Sequence, residues 1–297
     1  MKSDTAVRAP SHALLYSLLG CMVLLWSGNY IVGKLALREF PAHVLVTVRT
    51  TIAGALMVPV YWMQTRDTGR TWVVRDVPML VLLGVFGITL NQIIFVFALS
   101  RTSVAHSSLV IALTPLLVLS FAAFRGLEHF TLRKVIGMVI AVSGVAALNF
   151  SRSSGATVFG DLLMLCAASV FTSFTVLGKE SSARHGNITL NTFAYTGAAL
   201  LLSPYMIWLV FHYDFSRISW GAWAGLCYMA VFSSVVCYLI YYFALKYIAA
   251  SRVSALSYLQ PLLATLMAVP ILGEHITPPL MAGGMLILAG VYVTERT

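Results

Sequence analysis

Apolar residues run along this chain in ten continuous stretches, near 13–33, 43–63, 78–99, 103–124, 132–150, 160–178, 188–211, 219–245, 251–272 and 279–294. Charged or turn-forming residues close each one. A helix needs about 20 apolar residues to cross the hydrocarbon core, whereas a membrane barrel strand needs about 10 and alternates apolar with polar positions. The runs here are continuous and long, so the pattern predicts helices and excludes strands. The expected fold is an all-α integral membrane protein of ten transmembrane helices.

Composition agrees. The chain has 297 residues, 59% hydrophobic and 10% charged, with a mean hydropathy of +0.88. A soluble domain carries about 25% charged residues. This chain has too few to cover a water-soluble globule. The net charge of +9 does not point to nucleic acid, because the cations are scattered singly rather than gathered in a patch. They report topology instead. Lys2, Arg8, Arg66, Arg70, Arg75, Arg125, Arg133, Lys134, Lys179, Arg184, Lys246, Arg252 and Arg296 fall on one side of the ten spans, and Lys34, Arg38, Arg101, Arg152 and Arg217 on the other. Arg49 lies within span two. The richer side is cytoplasmic by the positive-inside rule, which puts both termini in the cytoplasm. Cys21, Cys166, Cys227 and Cys237 lie in apolar runs without metal-ligand spacing and read as small, reduced hydrophobes. Leu18-Leu19-Gly20-Cys21 faintly resembles a lipoprotein cleavage site, but the apolar run continues to Gly33, so the segment is read as span one.

The two halves resemble each other at an offset of 145, becoming 146 after one inserted residue. IVGK (31–34) recurs as VLGK (176–179), and Pro59 as Pro204. VFALS (96–100) matches YFALK (242–246), LTPLL (113–117) matches LQPLL (259–263), and LEHFT (127–131) matches GEHIT (273–277). Gly137 and Gly144 match Gly283 and Gly290. Seven ordered matches make a duplication, with a cytoplasmic N-terminus at 1–12, a first repeat at 13–150 and a second at 151–296. Five spans per repeat is an odd number, so the second copy starts on the opposite side of the membrane. That is an inverted repeat, an architecture suited to alternating access.

A 5+5 inverted duplication of this length resembles the drug/metabolite transporter superfamily, and within it the EamA-type permeases. LLWSGNYIVGK in span one, Arg49, the LTPLL/LQPLL segments and the LEHFT/GEHIT turns carry the resemblance. It covers nearly the whole chain and implies an exporter of amino acids, metabolites or drugs in the bacterial inner membrane, without a prosthetic group. It does not fix the solute.

Polar groups inside a bilayer are expensive and face a cavity or each other. Arg49 is the one charge well inside a span. It either binds an anionic group of the solute, or forms a structural ion pair or snorkels to the surface. Asn91 and Gln92 lie mid-span and either bind solute or join helices. Trp26, Asn29, Tyr30 and Gly33 form one helical stripe, read equally as cavity wall or interfacial belt. Pro115 and Pro261 occupy equivalent positions, read as mid-helix interruptions that point to a binding site. Near them cluster Ser107, Ser108 and Thr114 in one half, and Ser254, Ser257, Tyr258 and Gln260 in the other. Tyr238, Tyr241 and Tyr242 suit an aromatic solute or simply pack. His106 is read as a proton carrier or, more commonly for such a residue, an interfacial histidine. The paired glycines are assigned to close helix packing.

No metal or cofactor site is expected. The expected partners are a small-molecule solute and membrane lipids, with homodimerisation left open. The alternative, a membrane-embedded lipid-modifying enzyme, requires a catalytic constellation that the two Glu-His dipeptides, on opposite faces, do not supply.

Overall fold

A backbone amide in hydrocarbon has no water to bond, so it must be satisfied within its own segment. Helices do this, and helices are what the chain forms. The computed structural model describes residues 10–69, 71–102, 107, 110–149, 157–272 and 278–295. In the first half these are α1 (His12–Ala36), α2 (Ala42–Thr68), α3 (Val74–Arg101), α4 (Thr114–Phe124) and α5 (Leu132–Asn149). In the second they are α6 (Val158–His185), α7 (Asn187–His212), α8 (Trp220–Leu245), α9a (Ala250–Ala255) leading through a 3-10 turn (Leu256–Tyr258) into α9b (Leu259–Leu272), and α10 (Pro278–Glu295). Among the described residues, six helices (α1, α2, α3, α6, α7 and α8) are long and apolar enough to cross a membrane, and the segments Thr114–Phe124 and Met281–Thr294 are shorter apolar helices. Large apolar side chains on the outside fit lipid contact rather than water, Phe124 being 85% and Trp220 90% exposed.

Local chemistry sets the ends. Ser11, Thr157 and Ser219 cap α1, α6 and α8 by accepting from Leu14 N (3.2 Å), Gly160 N (3.0 Å) and Ala222 N (3.2 Å). The turn between α6 and α7 is the single residue Gly186 at φ +89°, a conformation that a Cβ would strain.

Packing crosses between the halves. α1 packs on α8 and α9b of the second half, and α6 packs on α3 and α4 of the first. The two most extensive contacts join equivalent helices, α2 with α7 and α5 with α10. α5 and α10 run antiparallel with backbones nearly touching. A Cβ on Gly137 would sit 2.8 Å from Gly290 O, and one on Gly144 would sit 2.7 Å from Gly283 O. The glycines therefore permit dispersion contacts along a seam that any side chain would wedge apart.

Two further pieces lace the halves together at one end. After α4, Glu128 accepts from Lys134 Nζ (2.9 Å), from Ser251 N (3.1 Å) and from Ser251 Oγ at the start of α9a. Arg125 Nη2 meets both carboxylate oxygens of Glu180 at 3.0 Å. Within the second half, Lys179 Nζ donates to Ile248 O (3.1 Å), and within the first its counterpart Lys34 donates to the equivalent carbonyl, Thr102 O (2.8 Å). Burial raises the Glu128 carboxyl, but the bonds from Ser251 and Lys134 outweigh it and hold the group below its ordinary value. A lowered folded value stabilises above the unfolded value and is lost as pH falls through the folded one.

Sequence expectations meet these coordinates with one correction. Pro115 and Pro261 are not mid-helix. Pro115 lies at the first turn of α4 and Pro261 at the third residue of α9b, where a missing N–H leaves no helical bond unmade. His106, Ser108 and the GEHIT turn (273–277) lie outside the described residues.

Two predictions follow from this packing. Gly137→Ala should lower the thermal unfolding temperature in detergent, overpacking of a close contact costing about 1–3 kcal/mol. Unchanged unfolding would show that the α5–α10 seam has slack. Glu128→Gln should cost about 1.5–3 kcal/mol at neutral pH. It should also flatten the loss of stability expected of the parent protein as pH drops below the ordinary carboxyl value of 4.5.

Candidate functional site

Among the described residues, four irregular stretches fall in two pairs related by the repeat. α3 contains a π-helical stretch at Val85–Leu90 and α8 one at Met229–Val236, equivalent positions under the repeat offset. The chain also turns at Ala112 and Leu113 before α4, and passes through the 3-10 turn before α9b, again at equivalent positions. These four irregularities surround one cavity. It encloses about 590 Å³ of empty space, its open mouth included.

The wall is built from both repeats. α1 supplies Trp26, Asn29 and Tyr30, α2 supplies Arg49, and α3 supplies Asn91, Gln92 and Phe95. Ile111 and Thr114 flank the turn before α4. α6 contributes Phe171, α8 contributes Ser233 and Tyr238, and Ser257 and Gln260 come from the 3-10 turn and α9b. Four pairs are repeat equivalents: Trp26 and Phe171, Gln92 and Tyr238, Ile111 and Ser257, Thr114 and Gln260. The cavity thus straddles the relation between the halves. Its polar groups do not share that symmetry, since Arg49, Asn91 and Asn29 correspond to Ala194, Cys237 and Phe174.

Arg49 is 2% exposed. Its Nε donates to Ser234 Oγ at 2.9 Å, while Ser234 Oγ donates to Met229 O at 2.9 Å, five residues back along the π-helical stretch. Ser234 can serve both partners because the π turn brings that carbonyl within reach. Nη1 is buried without a partner, and among the described residues no carboxylate pairs with this guanidinium. The ion-pair reading of Arg49 therefore finds no partner there, and a residue 2% exposed does not snorkel. Asn29 Oδ1, Thr114 Oγ1 and Ser233 Oγ are likewise buried and unpartnered at the wall. Such groups cost free energy unless a ligand or water completes them.

An aromatic cluster forms the opposite chemistry. Trp26, Phe171 and Tyr238 meet edge to face with centroids 5.8–6.2 Å apart, and Tyr241 backs them at 5.5 Å from Trp26 and from Phe171. Trp26 Nε1 donates to Ser233 O (3.0 Å), a carbonyl in the π-helical stretch. Trp26 thus faces the interior and not an interfacial belt.

Of the residues singled out from sequence, Trp26, Asn29, Tyr30, Arg49, Asn91, Gln92, Thr114, Tyr238, Ser257 and Gln260 come together on this wall. Asn91 spends its amide N–H on Ala167 O (2.9 Å), so it joins α3 to α6 as well. Tyr241 stands behind the wall with its hydroxyl 3.0 Å from Thr175 Oγ1. Ser107, Pro115, Tyr258 and Pro261 are buried but do not line the cavity. Phe95, Ile111, Phe171 and Ser233 line it and were not anticipated. Phe171 was findable, being the repeat counterpart of Trp26.

A polytopic helical bundle with a buried, polar-patched cavity between two repeats has the build of a membrane transporter. The chain belongs to the EamA-like transporter family, whose sequence profile matches residues 13–150 and again 158–296. An uncharacterized transporter of Archaeoglobus fulgidus is 26% identical over 93% of this chain and 96% of its own. The uncharacterized transporter YetK of Bacillus subtilis is 24% identical over 94% and 85%. A probable terminal-alkyne amino-acid exporter of Streptantibioticus cattleyicolor is 27% identical over 75% and 74%. A solved crystal structure shares the fold, with a TM-score of 0.77 at 20% identity over 96% of this chain and 98% of its own. The protein is a multi-pass membrane transporter that handles small solutes, and not an enzyme.

The state of Arg49 yields a prediction. A guanidinium with one hydrogen bond does not stabilise a fold, and replacing buried ionic groups by apolar ones is commonly neutral or gains about 1–4 kcal/mol. Arg49→Met should therefore unfold at the same temperature as the parent or higher. A clear drop in unfolding temperature would make Arg49 a structural residue.

Proposed function

We propose that this protein exports a small amphipathic organic solute, an amino acid or related aromatic compound bearing a carboxylate, across the bacterial inner membrane by alternating access. The observation that carries this reading is Arg49: a buried cation with an unpartnered edge, sharing one cavity with an aromatic cluster. A guanidinium fork matches a carboxylate bidentately. Trp26, Phe171 and Tyr238 would take the apolar tail. The relative described as a probable amino-acid exporter supports the substrate class.

Ten spans arranged as two inverted five-helix repeats, with both termini cytoplasmic, make up the proposed topology. The antiparallel α5–α10 seam between equivalent helices supports it, as does the thirteen-to-five division of loop cations. Rocking one set of helices against the other about the cavity would then expose it alternately to each side.

Purified protein in liposomes should mediate saturable uptake and counterflow of labelled aromatic or branched amino acids. Absence of movement across a broad panel of carboxylates would sink the proposal. Arg49→Lys should keep the charge but weaken apparent affinity by about 10- to 150-fold, the worth of one charge-assisted hydrogen bond. A C-terminal fluorescent fusion should be active in the cytoplasm and a phosphatase fusion at the same point silent. The reverse would break the topology.

A further inference from the structure

The cavity treats the two ends of an amino acid differently. This inference rests on the reading of Arg49 as the carboxylate anchor and asks what the same wall offers an amino group. Among the described residues, Arg49 is the single formal charge on the wall, and no Asp or Glu lines it. A monoanionic carboxylate docked on Arg49 brings the buried site to neutrality. A zwitterion leaves one uncompensated positive charge there, and an amine without a carboxylate leaves two. Low dielectric makes such excess charge costly.

The neutral groups do not remedy this. An ammonium has Asn29 Oδ1 and the hydroxyls of Thr114 and Ser233 as unpartnered acceptors, all uncharged. The aromatic cluster of Trp26, Phe171 and Tyr238 carries no formal charge, so it does not neutralise an ammonium as a carboxylate would. A neutral hydroxyl, by contrast, suits an unpartnered amide oxygen such as Asn29 Oδ1, because it donates without adding charge.

We infer that the site selects monocarboxylates with an aromatic or branched tail and does not require the α-amino group. 2-Hydroxy acids and other amine-free acids bind at least as tightly as the amino acid with the same side chain, and the decarboxylated amine is rejected. The solute class is an apolar-tailed organic acid.

The test uses the full-length protein, unaltered, in detergent, and a matched series sharing one ring: 3-phenyllactate, phenylalanine and 2-phenylethylamine. Binding is followed by tryptophan fluorescence and by shift in unfolding temperature. A second series with a branched tail, 2-hydroxyisocaproate, leucine and isoamylamine, is run beside it. The expected result, in whichever series binds, is a hydroxy acid at least as tight as its amino acid and an amine about 100-fold weaker. An amino acid that binds tighter than its hydroxy acid overturns the inference and leaves the carboxylate anchor standing. An amine that binds as tightly as the acids, or no binding by any acid in either series, brings down the anchor and the inference together.

Discussion

Hydrocarbon offers a backbone N–H or C=O nothing to bond, and that single constraint organises this molecule. Regular helix is the default because it closes every amide on its own segment. Irregular backbone at membrane depth survives only where protein or a cavity accommodates it. Both π-helical stretches, the turn at Ala112 and Leu113, and the 3-10 turn before α9b occur together around one space. Their departures from regularity provide chemistry. The π turn of α8 lets Ser234 serve Met229 O and Arg49 at once, and a carbonyl of the same stretch receives the Trp26 indole. The cavity is therefore where the helices are allowed to be imperfect.

Duplication then explains why the imperfections are paired. Each repeat brings a third helix with a π segment and a turn that leads into the next helix, and the cross-packing of α1 on α8 and α9b, and of α6 on α3 and α4, interleaves them. Neither half encloses the cavity alone. The glycine seam of α5 and α10 and the lacing of Glu128 to Lys134 and Ser251 join the halves away from it. Lys34 and Lys179 hold equivalent carbonyls in the two halves, so the architecture preserves the symmetry even in side-chain detail.

The cavity lining departs from this symmetry. Position 49 is arginine, while its counterpart, 194, is alanine. The same duplication therefore yields one cationic pole and one aromatic wall rather than two of each. On the proposed transport cycle, a symmetric scaffold would permit an inward and an outward form of similar energy, while an asymmetric lining would give the bound solute one orientation.

The hydrophobic pattern by itself determined the all-helical membrane class, because a run of apolar residues long enough to span has few other uses. Internal matches such as LTPLL with LQPLL revealed the duplication, and mid-span polar residues such as Arg49, Asn91 and Gln92 stood out because the bilayer tolerates so few. Only the tertiary structure decided what those residues meet. Whether Arg49 paired with a carboxylate depended on helices distant in sequence, and the π turn that holds it leaves no trace in composition. The prolines illustrate the limit: sequence marked both breaks, but a proline in a kinked helix and one in a first helical turn read alike, and only the backbone path distinguishes them. Ser107 and Tyr258 looked equally eligible for the cavity, yet both are buried outside its wall. Local pattern determines which segments enter the membrane, and packing across the two halves determines which of their polar groups face one another.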